Sequence, residues 1–226
     1  MNENKQSKFS LAAWGCLLTI LIFLLVCFVA LPIVDKINAG RHRSVQRAAA
    51  VETNSKFEAF VIAAEEGDAA TVAKMLKTDR SLVRVRESGR NNRTALHFAA
   101  AAGQTGVAKL LIQNGADVNV RNDGDGSTPL HYAATEGHAD IARLLIASGA
   151  NLEAVDQADQ TPLAEACSSS MDDTAHIEFV KLLLSKGANV NGNNKAACTP
   201  LQLAGDGKIA GILRKHGAAQ WYNRPQ

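Results

Sequence analysis

His97 and His131 each stand three residues after a threonine, and Cys167 lies nine residues before His176. A thiol near an imidazole is the raw material of a nucleophile–base pair, which needs both groups within hydrogen-bond reach and a third group to orient the base. Nothing in this sequence supplies that third group, and a polar stretch separates Cys167 from His176. Asp123 and Asp125 alternate as carboxylates do in a calcium loop, but the distant glutamate that closes such a loop is absent. Gly124-Asp125-Gly126 lacks the lysine that follows a phosphate-cradling loop. The four cysteines, Cys16, Cys27, Cys167 and Cys198, form no Cys-x-x-Cys pair and have no suitably spaced histidines, so a zinc site is not expected. They are also too sparse for a disulfide scaffold and read as reduced, apolar fillers. The residues therefore predict no catalytic group, no metal and no small-molecule cofactor; the chain reads as a non-enzyme, an accessory enzyme being the weakest alternative.

The elements that carry these residues recur. Thr94-Ala95-Leu96-His97, Thr128-Pro129-Leu130-His131, Thr161-Pro162-Leu163 and Thr199-Pro200-Leu201 follow one another at steps of 34, 33 and 38 residues. Such a period means stacked helical units, none able to bury its apolar face alone. Within a unit, Thr128 caps a helix and Pro129 starts it, where a missing N–H costs nothing. Leu130, Ala133 and Ala134 give that helix an apolar face, and Gly137 turns the chain. A second helix follows through Ile141, Leu144 and Leu145 and stops at Gly149. Gly103 and Gly115 repeat that 12-residue interval one unit earlier. The recurring histidine is best read as part of this framework.

Thr-Pro-Leu-His, a Gly turn, a Leu-Leu-Ile helix and Gly115-Ala116-Asp117-Val118-Asn119 together resemble the ankyrin repeat. Gly149-Ala150-Asn151-Leu152-Glu153 and Gly187-Ala188-Asn189-Val190-Asn191 match at the same place. The resemblance runs from Thr94 to about Ala218, and a divergent unit over 57–93 keeps the spacing through Phe60, Ala63, Ala64, Gly67, Val72 and Leu76. It implies an all-α solenoid of about five units, with two helical layers and hairpin-like fingers projecting to one side. In such a family the matching histidine hydrogen-bonds around the helix start, and the ligand surface is the fingers plus the inner helices.

Two units depart from the pattern. Thr161 to Gly187 spans 26 residues where the preceding units have 21, with the surplus around Ser168 to Asp173, either a contact loop or a tolerated insertion. Thr199 to Gly217 spans 18 and reads as a terminal cap, on which Trp221 and Tyr222 can lie back.

From Leu11 to Leu31 no charge interrupts 21 mostly apolar residues, with Trp14 near one end and Pro32 beyond the other. As a helix this run covers about 31 Å, the hydrocarbon thickness of a bilayer. It is too long for a signal-peptide core and lacks a good cleavage site, so it is read as an uncleaved single-pass anchor. The resulting divisions are an N-terminal tail over 1–10, a transmembrane helix over 11–34, a basic juxtamembrane linker over 35–56, the repeats over 57–218 and a tail over 219–226. Lys36, Arg41, Arg43 and Arg47 outnumber Lys5 and Lys8 across the span, favouring repeats on the cytoplasmic side. Residues 58–226 hold 17 Lys/Arg against 19 Asp/Glu, which lacks the basic footprint of a nucleic-acid binder.

The function expected is a membrane-tethered scaffold or regulator that holds a protein partner, with lipid contact through Leu11–Leu31. A structural or protective factor of a cell envelope, its repeats outside the cytoplasm, is the alternative. The protein-binding candidates are Phe98 and Tyr132 on the inner helices, with Arg121, Asp123, Asp125, Gln157, Asp159 and Gln160 on the fingers. Tyr132 can serve equally as half-buried packing.

Overall fold

The computed structural model describes residues 55–87, 91–168, 173–193 and 198–219, all within one unit, Asn54–Gln226. The apolar run Leu11–Leu31, the basic linker before residue 55, positions 169–172 of the insertion, and Trp221 and Tyr222 lie outside the described residues. Among the described residues no helix is long and apolar enough to cross a membrane.

Five helix pairs follow one another among the described residues. They are α1 (55–66) with α2 (Ala69–Thr78), α3 (Ala95–Ala101) with α4 (Thr105–Gln113), and α5 (Pro129–Thr135) with α6 (Ala139–Ala147). The last two are α7 (Pro162–Ser168) with α8 (Thr174–Ser185) and α9 (Pro200–Leu203) with α10 (Lys208–Lys215). A 3₁₀ turn, Arg80–Arg84, follows α2. From α3 onward each first helix packs on the first helix of the next unit, and second helices pack on second helices, giving two layers. The all-helical expectation holds among the described residues, where β pairing is confined to an isolated bridge between Arg86 and Thr94.

The stripe that joins the layers is nearly invariant. Val107, Ala108 and Leu111 are buried, as are Ile141, Ala142 and Leu145, Phe179, Val180 and Leu183, and Ile209, Ala210 and Leu213. On the first helices small residues let backbones approach closely: Ala99 and Ala100, then Ala133 and Ala134, then Ala166 and Cys167. Cys167 thus fills an alanine position, and burial pushes its thiol up to about 12, which leaves it an inert filler.

The turn glycines do two jobs. Gly103 and Gly137 take φ of 73° and 71°, where a side chain is strained. They also lie against the next unit: a Cβ on Gly103 would meet the His138 ring at 2.9 Å, and one on Gly137 the His176 ring at 3.2 Å. Nothing in the 12-residue glycine spacing announces this second role.

Both irregular units change helix length. The second helix α8 has 12 residues, against nine in α4 and α6. Part of the surplus expected as loop is therefore an added first turn, capped by Asp173, whose carboxylate accepts the His176 N–H at 2.8 Å. In the last unit α9 keeps four residues where α3, α5 and α7 have seven. Helix α10 then turns Lys208, Arg214 and Lys215 to water, as a terminal unit must.

Candidate protein-binding surface

Each inner helix begins with a reciprocal cap. In α3 and α5 the threonine hydroxyl serves the backbone three residues on, and the histidine ring there reaches back to the threonine N–H. Nδ1 of His97 accepts from Thr94 N–H at 3.0 Å, and Nδ1 of His131 from Thr128 N–H at 3.2 Å. The other ring nitrogen crosses to the following finger. His97 Nε2 donates to the Ser127 carbonyl at 3.3 Å, and His131 Nε2 to the Gln160 carbonyl at 3.1 Å. A carbonyl can only accept, so Nε2 carries the proton, Nδ1 is the bare acceptor, and both rings are neutral. Burial agrees: it lowers the pKa of His97 to about 4 and lowers that of His131. These histidines are framework at the helix starts, as the sequence reading had them, and the structure adds that they hold fingers to helices. In the last unit Gln202 does the same capping, its Oε1 accepting from Thr199 N–H at 2.8 Å.

Four residues past the threonine come Phe98, Tyr132, Glu165 and Leu203, all half-buried on the inner layer. The Arg93 guanidinium lies 4.2 Å from the centre of the Phe98 ring and is fixed by Glu87 at 3.1 Å. Tyr132 shows the half-buried packing that the sequence allowed it. Its ring stands edge-on to His97 at 5.4 Å, and its hydroxyl accepts from Asn122 Nδ2 at 2.8 Å. Burial, with the Asp125 charge added, raises the phenol's pKa, so it stays protonated and can still donate to a ligand.

The finger candidates are placed by bonds between neighbouring fingers. Arg121 is exposed, yet its guanidinium donates to the Val155 carbonyl of the next finger. Asp123 receives Asn92 Nδ2 at 2.5 Å and pairs with Arg86 at 3.4 Å. The Asp125 carbonyl accepts from Gln157 N–H at 2.7 Å, and its carboxylate from Ser127 N–H at 3.0 Å. Burial opposes ionisation of Asp125, but the Ser127 bonds outweigh it and keep its carboxyl below the usual range. Asp159 accepts from Asn193 Nδ2 at 3.4 Å, and Gln160 offers His131 its carbonyl. Asp123, Asp125 and Gln157 stay exposed while Asp159 and Gln160 are half-buried. The six therefore form one linked row instead of six free side chains.

That row is acidic. Residues 114–128 and 148–161 carry Arg121 against Asp117, Asp123, Asp125, Glu153, Asp156 and Asp159. Among the described residues no cluster of His, Cys, Asp or Glu is disposed to hold a metal ion.

Sequence reasoning passed over the residue that organises the row. Asn122 is 4% exposed; its Oδ1 accepts from Gly126 N–H at 2.8 Å and Asp125 N–H at 3.1 Å while Nδ2 holds the Tyr132 hydroxyl. It couples finger tip to inner helix. The signal available was position: Asp156 does the same work one unit on, accepting from Ala158 and Gln160 N–H at 2.8 Å each. Positive φ was also hidden, since Asn92 (51°) and Asp159 (58°) share with Gly126 (74°) the place two residues before each threonine.

The family model for ankyrin repeats (3 copies) matches residues 37–122, 60–156 and 120–194. This chain belongs to the ankyrin-repeat family. Among curated proteins, 65 residues are 45% identical to the probable E3 ubiquitin-protein ligase XBOS33 of Oryza sativa subsp. japonica, covering 29% of this chain and 12% of that protein. A stretch of 65 residues is 42% identical to the E3 ubiquitin-protein ligase XBAT33 of Arabidopsis thaliana, covering 29% of this chain and 12% of that protein. A stretch of 59 residues is 42% identical to the serine/threonine-protein kinase VIK of the same plant, covering 26% of this chain and 13% of that protein. The chain thus spans about an eighth of the length of the curated relatives it matches.

Proposed function

We propose that this ankyrin-repeat chain is a membrane-tethered module that captures a protein partner along its inner helices and fingers and performs no chemistry of its own. The observation that carries the reading is the pairing of two half-exposed aromatics, Phe98 and Tyr132, with an acidic finger row already fixed by its own hydrogen bonds. Rigid aromatic anchors beside pre-ordered polar groups lose little conformational entropy on binding. The partner segment that suits them presents an apolar side chain to the aromatics and basic side chains to Asp123, Asp125 and Asp159. The ligase and kinase activities in the relatives' names are not carried over, because the shared stretch is a small part of each relative.

Tethering is inferred from the uncharged run Leu11–Leu31, and the charge balance of Lys36, Arg41, Arg43 and Arg47 against Lys5 and Lys8 favours repeats in the cytoplasm. Capture from detergent-solubilised membranes with full-length protein, followed by mass spectrometry, tests the binding reading. A Phe98→Ala/Asp123→Asn variant that melts normally loses the specific partners. The same partners recovered at the same yield would overturn the assignment of this face. Resistance of the full chain to alkaline extraction tests the anchor, and a C-terminal reporter enzyme active in one compartment tests the side.

A further inference from the structure

The outer helices carry a cation at one repeating position: Lys74, Lys109, Arg143 and Lys181, all exposed, each two residues after a fully buried Val72, Val107, Ile141 or Phe179. In the third unit the charge is neutralised, since Arg143 pairs with Asp140 at 2.6 Å and with Glu178 of α8 at 2.5 Å. The first two units are different. Neither α2 nor α4 contains an acidic residue; Lys77 lies one turn beyond Lys74, and the 3₁₀ turn adds Arg80 and Arg84, both exposed. Helix α2 packs on both the 3₁₀ turn and α4, and Arg80 Nε donates to the Asn114 carbonyl at the end of α4 at 3.3 Å, so these exposed cations stand on adjoining elements. Lys74, Lys77, Arg84 and Lys109 form no ion pair among the described residues. The carboxylates nearest in sequence to Lys74 and Lys77, Asp68 and Asp79, are occupied in capping α2 and the 3₁₀ turn, and Glu87, three residues beyond Arg84, pairs with Arg93.

We propose that this face, built from Lys74, Lys77, Arg80, Arg84 and Lys109, rests on the anionic lipid headgroups of the bilayer in which the chain is anchored. The proposal rests on the tethered reading above. Two observations choose lipid over a protein occupant. A protein interface needs desolvated apolar anchors, and the only large hydrophobic side chain exposed among the described residues is Ile62, on α1. A hydrated cationic face without anchors is what a charged membrane surface accepts.

The test uses the full chain in lipid nanodiscs of phosphatidylcholine alone or with equal parts of phosphatidylglycerol, reading lysine acetylation rates by mass spectrometry. Lys74, Lys77 and Lys109 are expected to react about fivefold more slowly in the anionic discs, corresponding to the attraction of a single surface cation. Lys181, two units further along, keeps its rate. High salt removes the protection, and K74E/K77E/R84E removes it at the remaining Lys109 with melting unchanged. Equal rates in both discs, as a face left in water or covered by another macromolecule would give, overturn this proposal while an inserted chain leaves the tether standing. A chain that alkaline extraction strips from the bilayer overturns the tether and this proposal together.

Discussion

His131 sends its Nε2 proton to the carbonyl of Gln160, 3.1 Å away in space and 29 residues on in sequence. His97 does the same to Ser127 across 30 residues. One neutral ring thus caps its own helix and fastens the next finger, so local and long-range order share a single titratable group.

Acid should undo that arrangement. With its pKa lowered from 6.5 to about 4, His97 stays neutral when folded while the unfolded chain takes up a proton. The stability contributed is present above pH 6.5 and lost as pH falls toward 4, by about 3 kcal/mol for His97 and in the same direction for His131. Chemical denaturation across that range measures it. His97→Gln keeps the capping bond, as Gln202 does in the last unit, and flattens the profile.

Gly103→Ala and Gly149→Ala separate the two duties of turn glycines. Gly149 has φ of 90° but open space at its Cβ, so its substitution costs about 1 kcal/mol of strain. Gly103→Ala must also displace His138, whose Nε2 donates to the Ala101 carbonyl at 3.1 Å, and is expected to cost about 2–3 kcal/mol. Equal losses in thermal melts would show that φ alone matters.

Asn122→Ala removes three hydrogen bonds from a residue 4% exposed and should cost about 2–3 kcal/mol. Hydrogen exchange then rises at Asp125 and Gly126 first. Partner capture falls further than the loss of stability explains, because Tyr132 and the finger no longer hold each other.

Leu130→Ala opens a fully buried site and should cost about 2–5 kcal/mol. In a stack held by nearest neighbours the loss spreads to α3 and α7, which pack against α5. Exchange protection lost only within α5 would contradict that coupling.

Cys167 is buried, with its thiol pushed up to about 12, and Cys198 is half-exposed. Alkylation of the native chain at pH 8 should therefore mark Cys198 and spare Cys167 until the chain is unfolded.

Much of this protein is legible along the chain. Thr-Pro-Leu-His recurrence specified the helix pairs, the spacing of Leu130, Ala133 and Ala134 specified the buried face, and repetition of His97 and His131 marked them as framework. These are local patterns with the period of a helix or of a unit, and a short window contains them. What the fold alone decided is which side chains meet. Asn122 became the organiser of the finger row, Gly103 the floor beneath His138, and Arg121 a strut to Val155. Three of the five extra residues became helix instead of loop because Asp173 could cap an added turn. Gly103 beneath His138 and Arg121 on Val155 join atoms some 30 residues apart, which meet only when one unit is laid on the next. Asn122 and Asp173 bond within 10 residues, but only the folded backbone aims their side chains at those partners.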